Sequence, residues 1–92
     1  MTLYKRHVVY QDADEVIRHS IFWGSALAAG DTIDTVVNMA TGVTISGESN
    51  TTTSNSFFAS NVSGITGFVT TEITTAGGET LQETTYFEER VA

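Results

Sequence analysis

Residues 16–23 alternate in side-chain character in the way that an extended strand requires. Neighbouring side chains of a strand point to opposite faces, so each face of the segment can be read separately. One face is mainly apolar and the other is mixed; the first consists of Ile17, His19, Ile21 and Trp23, and the second of Val16, Arg18, Ser20 and Phe22. We therefore predict a strand whose first face points into a core, with Trp23 as part of that core and not as an exposed binding anchor.

Six further segments predict strands and follow one another at spacings near ten residues. They are residues 3–10, 31–39, 43–45, 56–60, 66–75 and 80–91. The residues are rich in Val, Ile, Phe, Tyr and Thr, which suit a half-buried pleated sheet. Seven short strands in 92 residues predict one all-β domain, an antiparallel sandwich of two sheets, with a small barrel as the alternative.

The connections depend on Gly, Asn and Asp, because the chain has no Pro. Gly77-Gly78 lies between two Thr-rich runs and predicts a hairpin with a primed turn, in which positive φ is needed. Residues 24–30 contain Ser25 as a possible N-cap and predict one helical turn across an end of the sandwich. Residues 47–55 hold no apolar side chain and predict a flexible loop or a polar strand end.

The charge balance excludes two classes of partner. Only 4 residues are Lys or Arg against 11 Asp or Glu, which gives a formal net charge of −7. Phosphate backbones and anionic lipid surfaces both need clustered cations, so we expect neither nucleic acid nor a membrane as partner. The chain also has no Cys, which fits assembly in a reducing cytoplasm and leaves no thiolate zinc site.

No pattern of catalytic or metal-binding residues stands out. His7 and His19 lie twelve apart on different predicted strands, and we expect His19 to be a hydrogen-bonded core histidine. The acidic segment of Asp12, Asp14 and Glu15 could bind calcium weakly, but we favour a solvated turn whose Asp side chains accept from nearby amides. The carboxylates of the last strand are Glu83, Glu88 and Glu89, and we interpret them as edge charges. We expect no enzymatic activity and no cofactor.

Aromatic pairs mark candidate contact surfaces. Phe22 lies opposite the inward face of its strand, and one of Phe57 and Phe58 must point outward because the two are adjacent. Exposed apolar groups tend to mark interfaces. We predict an interface that draws on Phe22, Phe57 and Phe58, together with Leu3 and Tyr4 of an N-terminal arm or edge strand in residues 1–10.

A resemblance covers nearly the whole chain after Tyr10. The segments that carry it are the acidic turn at residues 12–17, Phe22-Trp23, Leu27, Gly30-Asp31-Thr32-Ile33, the Thr-rich strand at 69–75 and a closing strand that ends in Arg90-Val91. Together they resemble small immunoglobulin-like virion structural proteins of tailed bacteriophages and prophages. Two positions depart from the family: Ala13 stands where Pro is usual, and Phe22 where an acidic residue is usual.

The resemblance implies an immunoglobulin-like sandwich and a role in the virion. We expect a capsid decoration or cement subunit, or a head–tail (neck) accessory subunit, assembled in the host cytoplasm in multiple copies that contact other virion proteins. The alternative is a carbohydrate- or receptor-binding sandwich on the virion surface. That alternative predicts an exposed Trp or Tyr platform and affinity in isolation.

Overall fold

The structure is a computed structural model that describes residues 7–90. Within that range the chain forms seven strands. They are β1 (His7–Gln11), β2 (Ile17–Phe22), β3 (Ile33–Thr41), β4 (Thr44–Asn50), β5 (Ser54–Ser60), β6 (Gly67–Thr75) and β7 (Thr80–Glu89). The described residues include no helix that is long and apolar enough to cross a membrane.

The strands form two sheets that face each other. One sheet has four strands in the order β1-β7-β6-β3, and the other has three in the order β2-β5-β4. Consecutive strands often lie in different sheets, as in the Greek-key connections of a sandwich. The order is consistent with an immunoglobulin-like fold, so the predicted fold class is confirmed. One pair was not expected: β1 runs parallel to β7, and all other pairs are antiparallel.

The core lies between the sheets and follows the two-residue period of the strands. β6 alternates strictly, with odd-numbered positions buried and even-numbered positions half-buried. The buried apolar residues are Ile21, Trp23, Ile33, Phe57, Ala59, Val62, Val69, Ile73 and Phe87. The predicted phase of β2 is confirmed, because Ile21 and Trp23 are buried whereas Phe22 is exposed.

Strand β3 changes phase near its start. Its pairing with β6 shifts between Ile33 and Thr35, where the ladder is irregular. Such a shift lets two residues three apart point to the same side. Ile33 is therefore buried, and Val36, rather than Val37, packs against the core.

Of the two alternatives predicted for residues 47–55, the structure shows polar strand ends and not a flexible loop. β4 continues to Asn50 and β5 begins at Ser54, so only residues 51–53 lie between the two paired strands. Thr51 holds this turn: its backbone N–H donates to the carbonyl of Ser54 at 2.8 Å, and its hydroxyl accepts from the amide of Ser54 at 3.1 Å. Backbone pairing and hydroxyl hydrogen bonds thus hold this segment in place, although it has no apolar side chain to bury.

Two connections differ in detail from their predictions. The hairpin at Gly77-Gly78 is present, but only Gly78 has positive φ, at 94°. The amide of Thr75 donates to the carbonyl of Glu79, so the connection is a three-residue loop and not a primed two-residue turn. Residues 24–30 form a turn, in which the amides of Ala26 and Leu27 both donate to the carbonyl of Trp23.

Candidate interface surfaces

The outer surface of the three-stranded sheet carries mostly side chains with hydroxyl groups. We call it the three-stranded face; its side chains come from the outward positions of β2, β5 and β4, including Ser20, Phe22, Ser46, Ser49, Ser54, Ser56 and Phe58. The hydroxyls of Ser49 and Ser56 lie 2.9 Å apart and bond to each other. This face is therefore a polar surface with a few apolar side chains.

The predicted aromatic residues divide between this face and the core. Phe22 is 68% exposed and its ring lies over Gly24, where an added methyl group would overlap it. Phe58 is half-buried beneath Arg18, whose guanidinium carbon lies 5.1 Å from the ring centroid. Phe57 is fully buried, so of the adjacent pair Phe58 is the residue that points outward.

Most of the remaining exposed apolar surface lies on the outer side of the four-stranded sheet, which we call the four-stranded face. Its apolar side chains are Val8, Tyr10, Val37, Met39, Phe68 and Tyr86. Tyr10 and Met39 are each 61% exposed and Val37 is 54% exposed. Of the predicted contact residues that the structure describes, none lies on this face.

Strand register brings these side chains together. Val8 on β1 is opposite Tyr86 on β7, Tyr86 is opposite Phe68 on β6, and Phe68 is opposite Thr41 on β3. The rings of Phe68 and Tyr86 are 6.3 Å apart between centroids and tilted by 49°. Directly opposed side chains on one face are in contact distance, so the row forms a continuous band across the sheet.

Four polar side chains of the four-stranded face are hydrogen-bonded in two pairs. The hydroxyls of Thr70 and Thr84 lie 3.2 Å apart, and the amide of Gln82 donates to Glu72 at 2.7 Å. Among the described residues of this face, the charged side chains are Glu72 and Glu88, and both are acidic. The face therefore combines an apolar band with negative charge.

The acidic turn is held by its own hydrogen bonds. The amide of Asp14 donates to the Asp12 carboxylate at 3.1 Å, and the amide of Asp12 donates to Glu15 Oε1 at 2.8 Å. Glu15 Oε1 also accepts from Arg90 at 2.9 Å. The prediction that Asp side chains in this turn accept from nearby amides is confirmed. No cluster of three or more possible metal ligands occurs within residues 7–90.

His19 is part of a small buried network. Gln11, which is fully buried, donates both amide hydrogens to carbonyl oxygens, those of Glu15 and Ala59. Its Oε1 must therefore accept, and His19 Nε2, 3.0 Å away, carries the hydrogen. Burial lowers the pKa of His19, and the nearby His7 lowers it further. The predicted hydrogen-bonded histidine is confirmed, with its ring edge-on to Phe87.

Asp31 connects two loops at one end of the sandwich. Its Oδ1 accepts from the amides of Thr32 and Gly77, each at 2.9 Å. A hydrogen bond from the Thr75 side chain, together with these amides, holds the pKa of Asp31 below its usual value of 3.8. An added Cβ at Gly77 would come within 2.9 Å of the carboxylate, so this glycine leaves room for the contact. The Gly-Asp-Thr-Ile segment thus has a structural role.

A shallow groove of about 190 Å³ separates the free edges of β3 and β4. It is lined by Val36, Asn38, Glu48, Ser49 and Asn50. Both polar atoms of the Asn38 amide are occupied, since Nδ2 donates to Glu48 and Oδ1 accepts from Thr71. Of these five described side chains only Glu48 is ionisable, so the groove does not bring together an acid and a base.

Comparison with protein families identifies the kind of protein. Residues 11–88 match the family described as podophage GP4 fiber-tail adaptor protein gp77. The chain belongs to this family. As a member of the fiber-tail adaptor family it is a virion structural protein of a tailed phage, assembled in the host cell, as the resemblance predicted. Membership also implies that it binds other virion proteins. Comparison with individual curated proteins gave no match.

The predicted contact residues of this adaptor-family protein have different outcomes. Phe22 and Phe58 are on the surface, Phe57 is in the core, and Leu3 and Tyr4 lie outside the described residues. The signal for the four-stranded face was present in the even-numbered aromatics Phe68 and Tyr86. The predicted Gly77-Gly78 hairpin makes the strands of these two rings neighbours, but only the register shows that β1 and β3 lie on either side of them.

Proposed function

We propose that this protein is a non-enzymatic adaptor that joins a fibre to the tail of a podophage particle through protein–protein contacts. The match of residues 11–88 to the fiber-tail adaptor family carries the proposal. An adaptor must hold two partners at the same time. The sandwich supports this requirement, because its two outer faces lie on opposite sides of one core.

The two faces differ in chemistry and so suit different partners. On the three-stranded face, Phe22 and Phe58 are the aromatic groups available for contact, and hydroxyl groups surround them. Buried aromatic anchors contribute much of the energy of a typical interface. We assign Phe22 to one partner contact, since it is a largely exposed aromatic ring on a face of hydroxyl groups.

The free edges of the sheets provide a second means of attachment. Within residues 7–90, β1 pairs with β7 on one side only, and β3 pairs with β6 on one side only. Unpaired edge strands can accept a strand from a neighbouring chain through backbone hydrogen bonds. An N-terminal arm that includes Leu3 and Tyr4 would extend the β1 edge, and this part of the proposal stays a prediction.

Particles assembled without this protein test the proposal. We expect filled heads with tails but without fibres, measured by mass spectrometry of purified particles and by electron microscopy. Complementation with the unmodified chain should restore fibres, whereas Phe22→Ser should restore them poorly. Fibres that stay attached in the absence of the protein would contradict the proposal. Intact fibres together with fragile heads would favour capsid decoration instead.

The alternative of a carbohydrate- or receptor-binding module has weaker support. Trp23 is 4% exposed and its Nε1 donates to Asn55 at 2.6 Å, so it does not form a platform. Tyr10 is exposed, but it is opposite Glu88 on β7 and no second aromatic ring is exposed beside it among the described residues of its face. Binding of the isolated protein to host surface glycans, at an affinity that Tyr10→Ser abolishes, would favour this alternative.

A further inference from the structure

The geometry points to the four-stranded face as the docking surface for a protein that presents an apolar patch bordered by Lys or Arg side chains. This inference rests on the proposed adaptor function, because it takes the partner to be another virion protein. It adds which surface the partner covers and what chemistry the partner must offer.

The first support is the continuity of the apolar band. Val8, Tyr86 and Phe68 lie side by side across three neighbouring strands, and Tyr10 and Met39 extend the band on either side. Strand spacings give the patch a span of roughly 15 Å across the sheet and roughly 20 Å along it. Exposed apolar patches of this order often mark binding sites. Tyr and Phe also lose little side-chain entropy on contact.

The second support is the contrast between the two faces. The three-stranded face has Ser or Thr at most of its outward positions, with a cation above Phe58. The four-stranded face instead has three exposed large apolar residues, Met39, Val37 and Tyr10, whereas the described strands of the three-stranded face have one, Phe22. Large apolar groups gathered on one exposed face tend to mark an interaction site.

The third support is charge complementarity, which selects the partner. The described charged residues of the face are Glu72 and Glu88, which lie on either side of the band formed by Phe68 and Tyr86. The whole chain carries a formal net charge of −7. Basic side chains at the border of the partner would face these carboxylates favourably and would accelerate association.

The same charges disfavour a second copy of this chain. A symmetric dimer through one face brings the same residues of both copies to the same interface. The small apolar interface would then contain Glu72 and Glu88 of each copy. The described residues of the face include no cation to offset these charges. Like charges in such a position oppose association. The occupant is therefore a different protein.

Site-specific photo-crosslinking in assembled particles tests the inference. The photoreactive residue p-benzoylphenylalanine replaces Met39 in one phage and Ser20, on the opposite face, in another. Purified particles are irradiated and the crosslinked peptides are identified by mass spectrometry. We expect Met39 to crosslink to a different virion protein, at a peptide that has Lys or Arg beside apolar residues. Position 20 should crosslink to a different partner from that of position 39, because Phe22 on the same face is assigned to a second contact.

Each alternative result has a distinct meaning. Crosslinks from position 39 to another copy of this chain, or to a partner surface without basic residues, would overturn the inference. Crosslinks from position 20 with none from position 39 would also overturn it but would leave the adaptor function standing. If the unmodified protein were missing from particles, the adaptor function itself would fail.

Charge reversal gives an independent readout. Glu88→Lys and Glu72→Lys should each lower the number of copies incorporated in competition with the unmodified chain. The double variant should lower it by about tenfold. Glu79→Lys makes the same change in an exposed turn outside the face and should have little effect. The melting temperature of each variant should shift by less than about 4 °C, which separates lost binding from lost folding. Equal incorporation of the charge-reversed and control variants would contradict the inference.

Discussion

Phe57 and Phe58 are identical neighbours with opposite surroundings. Phe57 is fully buried between the sheets, and Phe58 lies under a guanidinium group on the surface. The difference comes only from the two-residue period of β5. Phe22 also lies on the surface, because about two-thirds of the residue is exposed to solvent. Residue type alone therefore says little about the role of a phenylalanine in this chain.

We predict contrasting effects for two phenylalanine substitutions. Phe57→Ala should lower the free energy of unfolding by about 3–5 kcal/mol, because it removes a fully buried ring and leaves a cavity. Phe22→Ser should change it by less than about 0.5 kcal/mol, because the ring is exposed. Urea denaturation of the two purified variants measures both values. A large loss of stability in Phe22→Ser would mean that the ring contributes to the core.

His19 provides a prediction about pH. Its pKa is lowered by burial and then by His7, so between that value and the ordinary value of 6.5 the unfolded chain binds more protons than the folded one. The stability therefore falls as the pH drops below 6.5. An NMR titration should give His19 a pKa below 6.5, and His7→Asn should raise it. No change in His7→Asn would show that the two rings do not interact.

At the scale of elements, Asp31 joins the connection between β2 and β3 to the β6–β7 hairpin. Its lowered pKa means that the ionised carboxylate stabilises the fold above the ordinary value of 3.8. That stability is lost as the pH falls through the folded pKa. Because three donors converge on this one side chain, the hairpin and the loop should unfold together.

A comparison of carboxylate variants tests this connection. Asp31→Asn should be less stable than the unmodified chain at neutral pH, and the difference should disappear in acid below the pKa of Asp31. Asp34→Asn, an exposed neighbour, should show no such convergence. Thermal unfolding from pH 7 to pH 2 measures both differences. A constant gap between Asp31→Asn and the unmodified chain across this range would contradict the assignment.

The elements show what a sequence of this kind reveals about a fold. The inward face of β2 could be predicted because its apolar residues alternate, and the same period separates Phe68 from Val69 and Ile73 on β6. For residues 47–55 the sequence left a flexible loop and a polar strand end as alternatives, because the segment has no apolar side chain and backbone pairing leaves no trace in composition. The parallel pairing of β1 with β7 joins segments more than seventy residues apart, which no local pattern can indicate.

The same limit applies to the candidate site. Phe22 was identified from one strand alone, since its phase opposes that of Ile21 and Trp23. The four-stranded face depends on four strands of which only β6 and β7 follow each other in the chain, whereas β1 and β3 join them only in space. A surface built in this way becomes visible only when the register is known.

At the scale of the whole molecule, the sandwich is a small body with two unlike faces and free sheet edges. A domain of 92 residues buries a limited fraction of its surface, so partners that bind the folded chain add to its stability. The apolar band on the four-stranded face and Phe22 on the three-stranded face allow two different neighbours. This arrangement is what a fibre–tail adaptor needs.

The central claim is best tested by counting copies of the protein in purified particles relative to the major capsid protein, by quantitative mass spectrometry. Symmetric attachment at a tail predicts a low number, on the order of five to a dozen copies per particle, because closed rings set the copy number of such attachments. A ratio near one to the major capsid protein, or a simple fraction of it, would place the chain on the capsid lattice and would contradict the adaptor function.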